Sequence, residues 1–324
     1  MRLRLVPQET NINFFAARKV TFGASMVLMV LSVVAWALMG LNFGIDFQGG
    51  TTIRTQAEQP VDVAAYRDAL QPLELGDVAI SEVYDPTFAD NEHVAMLRIQ
   101  AQEGAESAEN EMVANVEAAL KGVDETIQFT SVESVGPKVS GELVQSAVLA
   151  VLAALGAIMV YIWLRFEWQF SLGAVVALFH DVLLTIGLFA VLQIRFDLAT
   201  IAALLTIVGY SINDTVVIFD RVRENLIKYK KMALQDVMNL SVNETLSRTV
   251  MTSGTTLIAL IALLVLGGDV IRGFVFAITW GVIVGTYSSV YVAKNVVLML
   301  GTKRDWSKPS DGGPGGTQFS TSDA

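Results

Sequence analysis

Residues 198–223, LATIAALLTIVGYSINDTVVIFDRVR, are apolar enough to cross a bilayer, yet they contain the polar pair Asn213 and Asp214. On translocon scales an Asp at the centre of a membrane helix costs about 2.5 to 3.5 kcal/mol, more than several Leu residues contribute. Something must therefore solvate, pair or protonate Asp214. We interpret it as a candidate functional residue inside a membrane helix.

The rest of the composition also indicates a membrane protein, since the chain is 53% hydrophobic and only 17% charged. Apolar runs of about 17 to 25 residues predict roughly six transmembrane helices. These runs lie near residues 20–41, 144–164, 170–192, 198–219, 250–266 and 274–298. With no cysteine and two histidines, thiolate and His-rich metal sites are disfavoured, and we expect no metal and no cofactor.

A polar block separates the first two spans and carries most of the net charge of -10. Its patterns predict strands at 49–56, 77–84, 93–100 and 125–135, with helices at 61–70 and 105–121. This βαββαβ order is that of a ferredoxin-like domain. The predicted fold is a polytopic α-helical membrane protein with six transmembrane helices and this domain between the first two.

Lys and Arg concentrate in alternate short loops, which predicts that both termini are cytoplasmic and the polar block is periplasmic. A cytoplasmic N-terminus should span residues 1–19, and a Gly, Ser, Pro and Asp rich tail at 299–324 should be disordered. We therefore divide the remainder into a first helix at 20–41, a periplasmic domain at 42–138 and a five-helix region at 139–298. An amphipathic connector at 221–246 is predicted to lie against the cytoplasmic face.

Two further polar sites interrupt the apolar runs. Arg248 begins the fifth span at the same side as the end of the Asp214 helix, so the two could pair, although Arg248 could equally anchor the helix by snorkelling. Thr252 follows one turn later and could line a hydrated path. His180 and Asp181 lie near the middle of the third span, where they could form a relay or a pair that tethers helices.

The ends of the polar block have their own turn signals. Asp46, Gly49 and Gly50 follow the first span in FGIDFQGGTT, and the glycines permit a tight turn into the first strand. Gly136 and Pro137 have the same position before the second span. We interpret these five residues as structural residues of the domain junction.

In the last span, Gly281, Gly285 and Ser289 form a stripe of small residues at four-residue spacing. Such a stripe lets two helix backbones approach closely. We predict close helix packing there and no chemistry.

Five segments of the chain, in this order, are typical of one family. They are GIDFQGGT (44–51), SVGPKVSGEL (134–143), ALFHDVLLT (177–185), VGYSINDTVVIFDRVREN (208–225) and LSRTVMTSGTT (246–256). Together they resemble the SecF family, subunits of the bacterial SecDF accessory complex for protein export. The resemblance covers nearly the whole chain before the tail.

This resemblance implies half of an RND-type membrane domain in the bacterial inner membrane, completed by SecD. It implies no enzymatic activity and no nucleic acid. The expected role is to use the proton motive force to help pull translocating preproteins out of the SecYEG channel, in contact with membrane lipid and possible neighbours YidC and YajC. Carried over by motif, the proton path comprises Asp214 and Arg248, with Thr252, His180, Asp181 and Asn213 as weaker candidates.

Three alternatives belong to other classes. Asp181 and Asp214 could be the carboxylates of an intramembrane protease, but the GxGD-type motif expected of one is absent from the sequence. Half of a small-molecule RND-type proton-driven transporter would share the polar helix, although such pumps usually have two large domains in one chain. A passive assembly factor without proton coupling is the third.

Overall fold

The computed structural model describes residues 10–76, 78–86, 88–89, 91–101 and 109–302. Its N-terminal half contains both helices and strands, from α1 to β5. They are α1 (Arg18–Met39), β1 (Asn42–Phe43), α2 (Ile45–Gln48), β2 (Gly50–Ala57), α3 (Val63–Leu70), β3 (Val78–Val83), β4 (His93–Gln100), α4 (Glu109–Lys121) and β5 (Gln128–Val135).

The C-terminal half is helical apart from one two-residue strand. Its elements are α5 (Pro137–Arg165), α6 (Trp168–Leu192), β6 (Arg195–Phe196), α7 (Leu198–Lys228), α8 (Leu234–Leu266), α9 (Asp269–Ser288) and α10 (Lys294–Leu300). A π-helical turn, Ser289–Ala293, joins α9 to α10 without a break. Six helices within the described residues are long and apolar enough to cross a membrane, which confirms the predicted spans.

The predicted amphipathic connector at 221–246 is not a separate helix. Residues up to Lys228 continue α7, and residues from Leu234 already belong to α8, so only a short turn lies between the two helices. Among the large apolar side chains of this segment Ile227 is exposed, and the others are half-buried or buried. They pack between the extended ends of two spanning helices, where Val222, Met238 and Val242 are buried in one core cluster.

Four strands form an antiparallel sheet in the order β3-β4-β2-β5. The βαββαβ order of the elements agrees with the sequence prediction, although residue 77 and residues 105–108 of the predicted segments lie outside the described residues. Asp62 caps α3 by accepting from the amides of Ala64 and Ala65. Side chains from β2, β4, α3 and α4 share one core, which contains Ile53, Leu97, Tyr66, Val116 and Leu120.

Three spans form the interior of the membrane region. In α6 56% of the apolar window is buried, and in α7 and the last span 44%, whereas α1, α5 and α8 each bury 11%. The exposed apolar side chains of these outer helices face the region that lipid or a partner helix would occupy. Burial in the membrane region is therefore concentrated on α6, α7 and the last span, Asp269–Leu300.

Small residues set the distance between neighbouring helices. A Cβ at Gly281 would overlap the side chain of Ile207, and one at Gly285 would lie 3.0 Å from the Ser211 Cβ, so the predicted stripe does pack closely against α7. Gly187 of α6 has the same role towards α1, where an added Cβ would overlap the side chain and Cα of Ser32. The closest approach of α1 to the bundle therefore requires glycine at 187.

We expect Gly187→Ala to reduce the free energy of unfolding by about 1 to 3 kcal/mol, because α1 must move away from α6 to admit the methyl group. Gly156→Ala is the matched control, since a Cβ at Gly156 meets nothing within 4 Å. Thermal unfolding of the purified proteins in detergent measures both. Equal stability of the two variants would contradict the close packing.

Candidate functional site

Asp181 lies at the centre of a buried polar cluster between α6, α7 and α9. Its Oδ1 is 2.9 Å from Nδ1 of His180, and its Oδ2 accepts hydrogen bonds from Ser211 at 2.7 Å and Ser288 at 2.8 Å. The side chains of His180 and Asp181 are both fully buried. Each carboxylate oxygen therefore has at least one polar partner, and the cluster joins three helices.

The cluster continues towards the π-helical turn. Ser289, the first residue of that turn, is 2.8 Å from the Thr215 hydroxyl, oxygen to oxygen. On the other side, the His180 ring stacks on Tyr287 with centroids 6.2 Å apart, and Nε2 of His180 has no hydrogen-bond partner among the described residues. Single π-helical turns within α-helices occur frequently at functional sites.

Asp214 lies on α7, one turn beyond Ser211, and is buried. Its Oδ2 has no hydrogen-bond partner in the part of the chain that the structure describes. The side chains that act on it electrostatically are Arg248 and Ser253 of α8. Asp214 and Arg248, which were selected from the sequence, therefore lie close enough to interact electrostatically.

Asp214 and Arg248, which the sequence left as a possible pair, are not in direct contact, since no nitrogen–oxygen distance within 4.0 Å joins these two described residues. Arg248 is exposed on α8, and Asn213 is exposed on α7. Thr252 donates to carbonyls of its own helix, at 3.1 Å from Arg248 O and 3.0 Å from Thr249 O. Neither Asn213 nor Thr252 hydrogen-bonds Asp214.

Ser253 is a neighbour of Asp214 that the sequence interpretation did not select. Its hydroxyl is 2.7 Å from that of Thr286, oxygen to oxygen, so it also connects α8 to α9. The run of Thr and Ser residues after Arg248 indicated that a hydroxyl could lie near Asp214. Spacing alone does not say which of these hydroxyls faces α7.

The two buried carboxylates differ in their capacity to take a proton. Asp181 would have to exchange an existing hydrogen bond for the new proton, because its oxygens already accept from Ser211 and Ser288 and contact His180. The Oδ2 of Asp214 has no such bond to lose. Among the described residues no group of three or more His, Asp or Glu side chains could hold a metal ion.

Lys294 is a buried ionisable residue that the sequence interpretation missed. Its side chain is 1% exposed, and its Nζ has no hydrogen-bond partner among the described residues. Instead Nζ lies 4.2 Å from the ring centroid of Phe15, with the rings of Phe14 and Tyr291 at 5.0 and 5.3 Å. Three aromatic faces around an ammonium group form a cation–π site.

Asp46 connects the sheet domain to the helix that carries Asp214. Its Oδ2 accepts a hydrogen bond of 3.0 Å from the backbone amide of Leu198, the first residue of α7. Asp197 and Thr200 form a capping box at the same helix end, and Arg195 donates to Asp197. Two carboxylates therefore stabilise the N-terminus of α7, one of them supplied from outside the helix.

Backbone pairing reinforces this contact, which we call the α7 attachment (residues 42–46 with 195–198). β1 pairs in parallel with β6, and the amide of Gly44 donates to the carbonyl of Phe196 at 2.8 Å. Arg98 of β4 donates to Asn42 Oδ1 at 3.1 Å and to Phe43 O at 3.3 Å. Burial lowers the pKa of the Arg98 guanidinium from its ordinary value, and the charge of Arg195 lowers it further.

The junction glycines have the conformations that the sequence interpretation required. Gly49 and Gly50 have φ values of +74° and +125°, and a Cβ at Gly50 would overlap the carbonyl of Ile99. At the other junction Gly136 caps α5 and Pro137 is its first residue, a position where the missing amide of proline costs no hydrogen bond. These residues connect elements and do not line either buried polar site.

A second attachment joins the sheet to the loop between α8 and α9. Arg54 of β2 forms an ion pair of 3.2 Å with Asp269, and the Asp269 amide donates to Asp85 Oδ2 at 2.6 Å. Arg272 donates to the carbonyl of Tyr84 at 2.9 Å. Asp269 and Arg272 belong to the start of α9, so the domain is held at the start of α7 and at the start of α9. We call this second contact the α8–α9 attachment.

Two family models match the chain. The model for the SecD/SecF protein export membrane protein C-terminal region matches residues 115–303, and the SecD/SecF GG motif matches residues 34–61. The SecF protein translocase subunit of Cereibacter sphaeroides is 66% identical over 100% of this chain and 99% of its own length. That of Rhodobacter capsulatus is 66% identical over 96% of each chain.

Two solved structures share the fold at 36% sequence identity. SecDF of Thermus thermophilus, a translocon-associated membrane protein, matches 93% of this chain with a TM-score of 0.81. A SecDF structure in a super-membrane-facing form matches 92% with a TM-score of 0.67. This chain spans 40% of the length of each of those SecDF chains.

We expect Asp181→Ala to reduce the free energy of unfolding by at least about 3 kcal/mol, because His180, Ser211 and Ser288 would each lose a buried partner. Asp214→Ala should change it by no more than about 1 kcal/mol, since Oδ2 has no described hydrogen bond to lose and Ser253 is the one hydroxyl that acts on this carboxylate among the described residues. Chemical or thermal unfolding of the two variants side by side measures the difference. Equal destabilisation would indicate that Asp214, like Asp181, has a structural role in holding helices together.

Proposed function

The chain belongs to the SecF family of protein translocase subunits, and on that premise we propose that it couples the proton motive force to a late stage of protein export. The observation that carries this proposal is the buried Asp214, with a carboxylate oxygen that has no described partner and with Arg248 in electrostatic reach. A carboxylate inside a membrane helix that can accept a proton without breaking a hydrogen bond is suited to proton coupling.

The energies are adequate for such a switch. One proton crossing the membrane potential gains about 2.3 kcal/mol per 100 mV, similar to the few kcal/mol that separate two conformations of a bistable protein. Protonation of Asp214 removes its attraction to Arg248, and deprotonation restores it. The equilibrium between two arrangements of α7 and α8 then follows the protonation state, with no covalent step.

The two attachments supply the route from this switch to the sheet domain. α7 begins next to Asp46, and α9, which follows α8 after a two-residue turn, begins with the Asp269 that binds Arg54 and Asp85. A displacement of α8 that draws the start of α9 with it moves one attachment relative to the other. The domain then changes its tilt.

In this proposal residues 42–138 form a ferredoxin-like domain on the periplasmic side of the inner membrane, and both termini are cytoplasmic. Arg248, Thr252 and Asp214 belong to the proton path, and His180 and Asp181 tether α6 to α7 and α9. SecD completes the membrane domain, consistent with the 40% coverage of the longer SecDF chains. SecYEG, preproteins and, nearby, YidC and YajC are the proposed partners.

The relatives favour this function over the alternatives. They are named as translocase subunits, and the T. thermophilus protein is described as translocon-associated, not as a small-molecule pump. For an intramembrane protease, the two carboxylates would have to act together, but Asp181 is engaged by Ser211 and Ser288 while Asp214 faces α8.

We expect Asp214→Asn to retain less than about a tenth of the gradient-dependent part of export, because an amide can neither bind nor release a proton. The measurement is preprotein export in membrane vesicles that contain SecD, with and without a proton gradient. Asp220→Asn is the matched control, since Asp220 lies on the same helix and pairs with Arg165 at its exposed end. If Asp214→Asn assembles and keeps its full gradient response, the chain is a passive assembly factor.

We expect Asp46→Ala to reduce gradient-dependent export about fivefold, the effect of the ~1 kcal/mol that a helix cap contributes. One of the two carboxylates at the N-terminus of α7 is lost while the Asp197 capping box remains, and part of the connection to the domain is lost with it. Asp62→Ala removes the comparable cap of α3, which does not contact α7, and should leave the gradient response unchanged. An equal effect of the two variants would mean that the α7 attachment does not transmit the movement.

A further inference from the structure

The outer edge of β3 is open within the described residues. β3 is the last strand of the sheet and pairs only with β4, and no other described backbone group bonds to its outer side. Ala79, Ser81 and Glu82 are exposed. An open edge presents a row of amide and carbonyl groups to which another extended chain can add.

A cleft lies on each face of the sheet beside this edge. Val78 and Ile80 line a cleft of about 460 Å³ on the helix-covered face, together with Arg67, Asp68 and Leu75. Ser81 and Val83 line a second cleft of about 660 Å³ between the sheet and the membrane region. Successive side chains of an added strand point to opposite faces, so they would enter the two clefts in turn.

The charges of the larger cleft are balanced. Its lining includes three arginines and three carboxylates alongside apolar side chains such as Ile194, Val270 and Phe274. The charged side chains are those of Arg98, Arg195, Arg272, Glu82, Asp197 and Asp269. Tyr84 is 78% exposed at the end of the strand, where its ring is available to a ligand. Because Arg195 pairs with Asp197 and Arg272 pairs with Asp269, the surface carries no net charge and does not repel segments of either charge.

The opposite edge of the sheet is different. β5 has a register shift opposite Arg54 and Thr55, which leaves Thr130 without a partner residue on β2. The Thr130 hydroxyl instead donates to the carbonyl of Arg54 at 3.1 Å. A bulge twists an edge and interferes with the addition of another strand. β3 pairs with β4 in an unbroken register over all six of its residues.

We propose that the edge of β3 binds an extended segment of the exported polypeptide as an added strand, with alternate side chains in the two clefts. Backbone hydrogen bonds supply the affinity, which suits a partner of variable sequence. This inference rests on the proposed function, because it identifies where the translocating chain contacts the domain. The occupant is an unfolded preprotein segment, not a folded protein.

The first test is site-specific photo-crosslinking to a preprotein arrested in the Sec channel of vesicles that contain SecD. We compare Ser81→p-benzoylphenylalanine on β3 with Ser131→p-benzoylphenylalanine on β5, since both serines are exposed edge residues. We expect crosslinks to the preprotein from position 81, at least about tenfold more than from position 131. Equal yields from both edges, or crosslinks from position 81 only to SecD, would overturn the proposal.

A second measurement needs no substitution in β3. Hydrogen exchange of the unsubstituted chain in the same arrested complex should slow at least about tenfold for amides of residues 78–83, and not for residues 128–135. Unchanged exchange on β3 would also overturn the proposal. Both measurements are made without a proton gradient, so loss of the β3 signal is distinct from loss of coupling, which the Asp214→Asn export assay reports.

Discussion

The hydrogen bond from the Leu198 amide to the Asp46 carboxylate is the contact on which the arrangement of the two halves depends. It places the end of the first span, the start of the sheet and the start of α7 at one point. The pairing of β1 with β6, which is two residues long, and the Arg98 contacts also stabilise this junction, but they involve few residues. Because α7 also carries Asp214, its N-terminal end and its buried charge belong to one rigid element.

The two buried carboxylates differ in how far their oxygens are bonded. Around Asp181, partners from three helices bond to both oxygens and fix the helix packing, although Nε2 of His180 has no partner among the described residues. Asp214 lacks such a bond at Oδ2, and Arg248 acts on it from a distance greater than an ion pair. The helices α6, α7 and α9 therefore share a bonded polar centre, whereas the buried charge of Asp214 faces α8 without one.

The sequence predicted the spans, the order of the sheet domain and Asp214, because apolar length, strand alternation and an isolated charge are local signals. It did not predict that the α7 and α8 helices extend through residues 221–246, because an amphipathic pattern has the same period against a membrane as against another helix. Asp46 was interpreted as a turn residue, since its partner Leu198 is 152 residues away. Lys294 was missed because its aromatic neighbours come from the N-terminal segment.

The larger cleft beside β3 lies between the two attachments, and this position would link the proposed substrate binding to the proposed proton switch. Its lining includes Arg195 and Asp197 of the α7 attachment and Asp269 and Arg272 of the α8–α9 attachment. Asp214 is sixteen residues from the start of α7, about 24 Å along the helix, so a small rotation at its depth becomes a larger displacement at the attachment. If protonation of Asp214 displaces the start of α7 relative to the start of α9, the width of the cleft changes, and a bound segment would be gripped in one protonation state and released in the other.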